Sequence, residues 1–257
     1  MSGALSGRSA VVTGAGNGLG RAISLALAGE GVSVALLGRQ SEKLEAVAAE
    51  VTSLGGEAFT VVCDTSDPES VDAARDALAE RPISILINNA GVGGPVASLT
   101  DIDPKEWDDV FAVNVRGVYL MCRAFLPPML ANGAGDVINI ASVAAKRPLA
   151  GRTPYGASKA AVLGLTATLA VEVAPHGVSV NSLSPGPIAG PRMNRNFALE
   201  AARRNITAEQ AEDEYVSRAA TRRMVTEEEV GAAVVAMLGM GGLCGADIDL
   251  TAGMIAR

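Results

Sequence analysis

Short apolar runs alternate along the chain with segments in which apolar residues recur at helical spacing. Several of the runs, such as SAVVT at residues 9–13, are short and apolar, as strands buried on both faces are. They predict strands at residues 9–13, 32–37, 58–63, 83–87, 136–141, 178–183 and 247–250. Helical spacing predicts helices at residues 18–28, 41–54, 67–79, 104–130 (interrupted near Asn114) and 154–174. This alternation predicts an α/β fold with one doubly wound parallel sheet and helices on both faces.

Two of the predicted helices begin at residues that are typical of helix starts. Ser41 is predicted to be the N-cap of the second helix. In the third helix, Asp67, Pro68 and Glu69 supply an N-cap, a first-turn proline and a carboxylate near the positive end of the helix dipole.

The stretch from Pro185 to Val225 breaks the alternation. It begins PGPIAGP and continues as a polar, charged and mostly helical segment. Open α/β sheets bind ligands at the carboxyl ends of their strands, where an insertion can act as a lid. We therefore predict a single domain over residues 1–257, with a substrate lid at about 187–225.

Composition excludes several classes of function. A net charge of −7 and an aromatic content of 3% disfavour a nucleic-acid partner, which needs a basic surface or a stacking platform. One histidine, His176, and three scattered cysteines, Cys63, Cys122 and Cys244, indicate no metal site, disulfide framework or Ser-His-Asp triad. Cys63 and Cys122 are predicted to be core residues, and His176 to be exposed.

The location of the chain is predicted from two terminal features. The N-terminus lacks a basic segment followed by an apolar run. Near the C-terminus, the uncharged stretch Val230–Ala246 is broken by glycines and is too short for a span. We expect a cytoplasmic protein with no membrane partner.

A glycine-rich string, TGAGNGLG at Thr13–Gly20, joins the first strand to the first helix. Glycine permits positive φ and lets a phosphate approach the backbone. The helix start adds unpaired N–H groups and the positive dipole end. Between a strand and a helix, the string predicts the nucleotide-binding turn of a Rossmann-type fold, the alternative being an ordinary tight turn.

The end of the second strand decides between NAD and NADP. An acid at this point would bond the adenosine ribose and favour NAD, but the sequence there is Leu37-Gly38-Arg39. Gly38 removes a repulsive carboxylate, and Arg39 offers a planar fork to a 2′-phosphate. NADP(H) is therefore preferred. NAD(H) stays open, because a solvated Arg39 could instead stack on adenine.

Tyr155 and Lys159 lie four positions apart in a predicted helix, which puts both on one face. Ser142 follows the fifth strand, at the end where such sheets place active sites. A phenol, an ammonium and a hydroxyl can together move a proton to or from an alcohol or carbonyl. Lowering the pKa of a tyrosine from ~10 to ~7 needs about 4 kcal/mol of differential stabilisation in favour of the phenolate. A nearby cation contributes to that stabilisation. Alternatively, Tyr155 is an ordinary helix residue, and Ser142 and Asn114 make caps or loop bonds.

Six motifs occur in order along the chain: TGAGNGLG, NNAG (Asn88–Gly91), NVRG with Asn114, Ser142, YGASK (Tyr155–Lys159) and SPG (Ser184–Gly186). With these motifs the sequence resembles the short-chain dehydrogenase/reductase family over essentially its whole length. The resemblance implies an NAD(P)-dependent oxidoreductase that interconverts a secondary alcohol and a ketone by hydride transfer, such as a 3-oxoacyl-thioester reductase. It also implies a homo-oligomer, either a dimer or a tetramer.

The resemblance also implies roles for four residues. Tyr155 would be the general acid/base, and Ser142 would hold the substrate oxygen by a hydrogen bond. Lys159 would bind the nicotinamide ribose and depress the pKa of the tyrosine. Asn114 would sustain a water-linked proton relay through Lys159.

The residues expected to contact the cofactor come from each strand end and from the segment after the sixth strand. They are the phosphate turn (Gly14, Asn17, Gly18, Leu19, Gly20), the adenosine end (Arg39, Asp64, Thr65), the ribose and diphosphate border (Asn89, Ala90, Gly91) and the nicotinamide end (Tyr155, Lys159, Ile188). Asn88 is expected to bridge neighbouring strands rather than to bind the cofactor. Asp64 could instead cap a turn.

The sequence departs from the family pattern in two places. Many members have a threonine after the PG that bonds the carboxamide or diphosphate, whereas Gly190 and Pro191 occupy that neighbourhood here. Nicotinamide anchoring is therefore expected to rely more on backbone groups. Members that use NADP often have a basic residue before the second motif glycine, where this chain has Asn17, which weakens the preference for NADP(H).

Two interpretations stay open for the residues around the presumed substrate site. The basic residues either face the cleft and favour an anionic substrate, or form a solvated surface interleaved with acids; they are Lys146, Arg147, Arg152, Arg192, Arg195, Arg203 and Arg204. Leu149, Met193 and Phe197 either line an apolar pocket or pack the lid.

Two functional alternatives also stay open. One is an NAD-dependent alcohol, diol or sugar dehydrogenase of the same family. The other is a non-catalytic regulatory protein that binds the cofactor.

Overall fold

A computed structural model describes residues 5–255, with the side chain of Arg192 outside the described part. Within it, seven parallel strands form one sheet in the order β3-β2-β1-β4-β5-β6-β7. The strands are β1 (Ser9–Thr13), β2 (Ser33–Gly38), β3 (Ala58–Val62), β4 (Ile83–Asn88), β5 (Gly135–Ile140), β6 (Val178–Pro185) and β7 (Asp247–Leu250). The predicted α/β class and the Rossmann-type, doubly wound parallel sheet are confirmed.

Helices follow the strands as the alternation predicts. They are α1 (Gly18–Gly29), α2 (Ser41–Ser53), α3 (Pro68–Ala77), α4 (Pro104–Phe111), α5 (Gly117–Asn132), α6 (Thr153–Val173), α7 (Pro191–Arg204), α8 (Ala208–Val216) and α9 (Glu227–Leu238). Helices α1, α2 and α9 cover one face of the sheet, and α3, α5 and α6 cover the other.

The two covered faces of the sheet explain why its central strands carry apolar residues on both faces. In β4, Ile85 and Ile87 pack toward α1 and α9, whereas Leu86 between them packs toward α5 and α6. Side chains alternate between faces along a strand, so a strand in a sheet covered on both sides needs apolar residues on both of its faces. These clusters hold Cys63 and Cys122 as predicted core residues, and His176 is exposed as predicted.

One predicted helix start is wrong and another is confirmed. The N-cap of α2 is Gln40, which has extended backbone, whereas Ser41 is already helical. The Ser41 hydroxyl therefore donates one turn ahead, to Glu45 Oε1 at 2.9 Å, instead of capping. Asp67 is the N-cap of α3, and its side chain accepts from the Glu69 N–H at 3.1 Å.

The predicted interruption near Asn114 is a π-helical turn, Ala112–Arg116, between α4 and α5. The Gly117 N–H bonds to the Ala112 carbonyl five residues back. A π turn adds one residue and rotates its side chains relative to an α-helix, and such turns are frequent at functional sites. The turn here directs Asn114 inward, where it is fully buried.

Two helical stretches, Pro104–Asn132 and Thr153–His176, are long and apolar enough to cross a membrane by length and composition. Core helices of soluble proteins pass the same test, so two such stretches are weak support for membrane spans. Both contribute buried side chains, such as Phe125 and Val162, to the core beside the sheet.

Candidate active site

The carboxyl ends of the strands open into a cleft of about 1310 Å³. Its walls come from the turn after β1, the ends of β2 to β6, α6, and the segment that contains α7 and α8. All of the predicted cofactor-contacting residues line it, as does Ser142. Asn114 does not line the cleft and lies behind its wall.

The turn after β1 is shaped by three glycines. Gly14 and Gly18 have φ of +65° and +52°, a left-handed region that other residues rarely adopt. A Cβ on Gly20 would overlap the carbonyl oxygen of Gly14. The first turn of α1 carries no acidic residue, so no side chain of the helix itself competes for its N–H groups at the cleft. This cradle fits the diphosphate of a dinucleotide.

Hydrogen bonds join the turn after β1 to the turn after β4. Thr13 Oγ1 accepts from the N–H groups of Asn89 and Ala90 at 2.9 and 3.0 Å. In return, Asn89 Nδ2 donates to the Thr13 carbonyl at 2.9 Å. The glycine turn and the NNAG motif therefore form one continuous wall of the cleft, and the Asn89 side chain serves to build it.

Arg39 and Asp64 line the end of the cleft that follows β2 and β3. Arg39 is exposed. Asp64 Oδ1 accepts from the Ser66 hydroxyl at 2.7 Å and from the Ser66 N–H at 2.9 Å. The Ser66 hydroxyl contributes most to lowering the pKa of Asp64, and the charge of Arg39 also lowers it. Asp64 thus caps a turn, as its alternative interpretation predicts, while it also faces the cleft.

Ser142 begins the loop after β5 in an extended conformation, with φ of −171°. Its Oγ accepts from the Ala144 N–H at 3.1 Å, which fixes the hydroxyl oxygen at the cleft wall. A serine hydroxyl that accepts one bond still carries its own O–H donor. Ser142 is therefore placed to donate to an oxygen in the cleft.

Tyr155 and Lys159 lie one turn apart on α6, and both line the cleft. Lys159 is 5% exposed, and its Nζ donates to the Ile140 carbonyl at 2.7 Å. A buried ammonium needs such acceptors, because burial without them is costly. The bond places the Lys159 cation at the carboxyl end of β5, beside the Ser142 loop.

The side chain of Asn114 holds the loop after β4 against α6. Its Oδ1 accepts from the Val92 N–H at 2.8 Å, and its Nδ2 donates to the Val92 carbonyl and to Ser158 Oγ, each at 3.0 Å. The Ser158 hydroxyl in turn donates to the Tyr155 carbonyl at 2.8 Å. The side-chain bonds match the loop-bond interpretation, and the proton relay stays a prediction.

Asn88 bridges neighbouring strands, as expected. Its Nδ2 donates to Asn139 Oδ1 at 2.8 Å, and Asn139 Nδ2 donates to Thr166 Oγ1 at 2.9 Å. All three side chains are buried. Sequence reasoning missed Asn139 and Thr166; a polar residue inside the apolar run GDVINI was the available signal.

The predicted basic residues separate into two groups. Lys146 forms ion pairs with Asp247 and Asp249, and Arg147 donates to the Met254 carbonyl at 2.8 Å. Neither residue lines the cleft. Arg152, Arg195, Arg203 and Arg204 do line it, and so do Leu149, Met193 and Phe197.

Ion pairs within the α7–α8 region partly bear out the solvated-surface interpretation. Arg203 pairs with Glu200 at 2.6 Å, and Arg204 pairs with Glu214 at 2.6 Å. Arg203 and Arg204 line the cleft, but Glu200 and Glu214 largely balance their positive charges.

Sequence reasoning missed Tyr215 as a wall of the cleft. Its ring packs edge-to-face on Phe197, with centroids 6.0 Å apart. Tyr215 lines the same cleft as Tyr155; burial raises the pKa of Tyr215, and Tyr155 raises it further. A tyrosine in a polar helix carries no periodic signal, so only the folded segment reveals this position.

Glu227, also missed, faces the glycine turn from the first turn of α9. Its Oε1 lies 3.5 Å from where a Cβ on Gly18 would stand, and 3.6 Å from the same point on Gly190. Burial raises the pKa of Glu227, the charge of Glu228 adds to this, and Arg21 opposes it. Acids are ordinary in a first helical turn, so its sequence context does not mark it as a cleft residue.

A family model described as short chain dehydrogenase matches residues 8–202. The short-chain reductase protein NovJ of Streptomyces niveus is 38% identical over 229 residues, which cover 88% of this chain and 85% of NovJ.

Two solved structures are similar over nearly the whole chain. NAD+-bound xylitol dehydrogenase has a TM-score of 0.93 and 30% identity, with 97% of this chain and 100% of that chain covered. A variant of actinorhodin polyketide ketoreductase with NADPH has a TM-score of 0.92 and 29% identity, with 98% of each chain covered. One neighbour thus holds NAD+ and the other NADPH.

Proposed function

This chain belongs to the short-chain dehydrogenase/reductase family, and we propose that Tyr155 is its general acid/base. The chain is an oxidoreductase that interconverts a secondary alcohol and a ketone with a nicotinamide cofactor. The observation that carries the site assignment is the convergence of Tyr155, Lys159 and Ser142 on one cleft, beside the glycine turn.

The proton chemistry follows from the placement of these groups. Tyr155 donates its phenolic proton to the carbonyl oxygen in reduction, and takes it back from the alcohol in oxidation. The Ser142 O–H donates to the same oxygen and holds it in place. Lys159 stabilises the phenolate by its positive charge. When bound, the nicotinamide supplies or accepts the hydride.

The cofactor is proposed to lie along the cleft from β3 to β6. The cradle of glycines takes the diphosphate, and the other contacts flank it: Gly14, Asn17, Gly18, Leu19, Gly20, Arg39, Asp64, Thr65, Asn89, Ala90, Gly91, Tyr155, Lys159 and Ile188. We propose that NADP(H) is preferred over NAD(H). Gly38 leaves no carboxylate at the end of β2, and the exposed Arg39 is available to a 2′-phosphate.

We further propose that residues 187–225 act as a substrate lid within a single domain over residues 1–257. Support comes from α7 and α8, which contribute wall residues to the cleft.

A homo-oligomer, a dimer or tetramer, is proposed because α5 and α6 expose Tyr119 and Val171. We propose that the partner is a small-molecule alcohol or carbonyl compound. We also propose that the protein is cytoplasmic and binds neither a membrane nor a nucleic acid.

The variant Tyr155→Phe tests the assignment. We expect it to abolish turnover of ketones and alcohols while the dissociation constants of NADPH and NADH change less than about threefold, since the ring is kept and only the proton donor is lost. The assay is a screen of both cofactors against β-keto thioesters, cyclic ketones, sugars and steroids. Turnover at the wild-type rate would overturn the assignment.

The same screen decides between the two remaining alternatives. Turnover with NAD+ and an alcohol, diol or sugar would favour the NAD-dependent dehydrogenase, for which the NAD+-bound xylitol dehydrogenase is a structural neighbour. Cofactor binding by the wild-type protein without turnover of any substrate would favour a non-catalytic regulator.

A further inference from the structure

Positive charge is concentrated in one half of the cleft. Around the loop after β5, α7 and α8, five arginines face two glutamates: Arg152, Arg195, Arg203, Arg204 and Arg218 against Glu200 and Glu214. The chain as a whole has a net charge of −7. A cleft whose charge opposes that of its protein concentrates ligands of the opposite sign.

Arg152 lies closest to the proposed chemistry. It immediately precedes α6, and its guanidinium carbon is 5.3 Å from the centre of the Tyr155 ring. Its Nη1 donates to Asn196 Oδ1 on α7 at 3.3 Å. A guanidinium stays charged at all ordinary pH values. A substrate whose oxygen bonds to Tyr155 therefore binds near a fixed positive charge.

Two further side chains complete this corner of the cleft. Tyr215 lines the wall, and the guanidinium carbon of Arg218 is 5.6 Å from the centre of its ring. Burial keeps the pKa of Tyr215 above its usual value, so its phenol is a neutral O–H donor. A cation and a neutral donor from the α7–α8 region thus face Arg152 and Tyr155 of α6.

We propose that the substrate is a small ketone or secondary alcohol that carries an oxyanion, and that Arg152 binds this group with Tyr215 and Arg218. The proposal rests on the function proposed above. A planar guanidinium can hold two oxygens of a carboxylate or phosphate at once. Arg203 and Arg204 contribute less, because Glu200 and Glu214 balance their charges.

Matched pairs of substrates test the proposal with the whole chain and its cofactor. The carboxylate arm compares 4-oxopentanoate with its methyl ester, and the phosphate arm compares dihydroxyacetone phosphate with dihydroxyacetone. We expect the anionic member of at least one pair to have the higher kcat/KM by tenfold or more. Which arm shows the preference identifies the oxyanion.

The variants Arg152→Gln and Arg152→Lys assign the preference to this residue. Arg152→Gln should lower the anionic-to-neutral ratio of kcat/KM by about 10- to 100-fold, because a charged hydrogen bond is lost. Arg152→Lys should retain part of the ratio. The control is Arg123→Gln, since Arg123 is an exposed arginine on α5 outside the cleft, and its ratio should stay within threefold of wild type.

Binding provides a readout that does not need turnover. Calorimetric titration of 4-oxopentanoate and dihydroxyacetone phosphate onto cofactor-saturated protein should give at least tenfold weaker binding for Arg152→Gln than for wild type. Unchanged affinity, or neutral ketones used as well as anionic ones in wild type, would overturn the oxyanion site while the oxidoreductase function stands. Loss of all turnover with intact Arg152-dependent anion binding would instead count against the proposed function.

Discussion

The side-chain amide of Asn114 makes two hydrogen bonds to the backbone of Val92, accepting from its N–H at 2.8 Å and donating to its carbonyl at 3.0 Å. A third bond, to Ser158 Oγ, ties the same amide to α6. Asn114 therefore fixes the distance between the loop after β4 and the helix that carries Tyr155 and Lys159. This makes it a positioning residue for the proposed site.

Asn114→Ala should lower both stability and turnover. The loss of a buried amide leaves two backbone groups of Val92 without their partner, which costs about 1–3 kcal/mol of unfolding free energy. We expect kcat to fall at least tenfold, because a small displacement of reacting groups is costly. Urea unfolding and steady-state kinetics over a pH series measure the two effects.

The matched control for Asn114 is Asn139→Ala. Asn139 is also fully buried and bonds two side chains, Asn88 and Thr166, but it is not among the residues that line the cleft, and its side chain does not bond the loop after β4. The variant Asn139→Ala should lose a similar amount of stability. Its kcat should change much less, and the pH profile of its turnover should not shift. Equal kinetic losses in both variants would show that Asn114 acts only through stability.

Arg39→Ala should separate the two cofactors. We expect the dissociation constant of NADPH to rise by about 10- to 100-fold, because a charge-assisted bond to the 2′-phosphate is lost, and that of NADH to change less than threefold. Quenching of reduced-nicotinamide fluorescence on binding measures both. An equal effect on the two cofactors would mean that Arg39 stacks on adenine and does not select NADP.

Gly20→Ala should disrupt the cradle. The added Cβ would overlap the Gly14 carbonyl oxygen, and it would lie 2.7 Å from Asn89 Nδ2. Part of the turn must move, so we expect cofactor affinity to fall by tenfold or more. The control is Gly164→Ala on α6, where nothing lies within 4 Å of the new Cβ and helix propensity favours alanine by about 0.5–1 kcal/mol. Its affinity should be unchanged, and similar losses in both would contradict the steric explanation.

The fold could be predicted from the sequence because its signals are local. Strands such as β4 carry apolar residues on both faces when both are covered, and the cap of α3 lies in consecutive residues. Ser41 failed as a cap because a residue's place relative to the first helical turn depends on backbone geometry, which its identity does not fix.

The candidate site also contains some residues that local sequence signals predict and others that only the folded chain reveals. The glycine turn and the Tyr155–Lys159 pair are contiguous motifs, so they can be read along the chain. Arg152, Tyr215 and Glu227 acquire meaning only when α6, α8 and α9 meet around the cleft, and no short-range pattern encodes that meeting. The balance of charges on Arg203 and Arg204 likewise depends on which acids fold against them.

Glu227→Gln should tighten cofactor binding. The Glu227 carboxyl faces the glycine turn from α9, with Oε1 3.5 Å from the Cβ position of Gly18, so its negative charge opposes a diphosphate bound there. Removal of this charge should lower the dissociation constant of NADH by about 3- to 10-fold at pH 8. NADH is the better probe here because it lacks the 2′-phosphate, which titrates near pH ~6.

The pH dependence of the wild-type protein follows from the same geometry. Burial and the charge of Glu228 raise the pKa of Glu227, while Arg21, itself paired with Glu50, opposes the rise. An anion bound nearby favours the protonated carboxyl and raises that pKa further, so binding takes up a proton. NADH affinity should therefore be higher below the pKa of Glu227 and fall as pH rises through it, whereas Glu227→Gln should give a flatter profile.

Glu228→Gln is the control for both Glu227 measurements. Glu228 is exposed on the same helical turn, does not line the cleft, and has a pKa lowered by hydrogen bonds at the helix start. Its substitution removes the same charge without removing a carboxylate from the cleft, so the NADH affinity at pH 8 should stay close to wild type. The fall in affinity with rising pH should persist but begin at lower pH, because Glu228 no longer raises the pKa of Glu227. Weaker NADH binding by Glu227→Gln would instead identify Glu227 as a hydrogen-bond acceptor for the cofactor, because an attractive contact would then outweigh the repulsion.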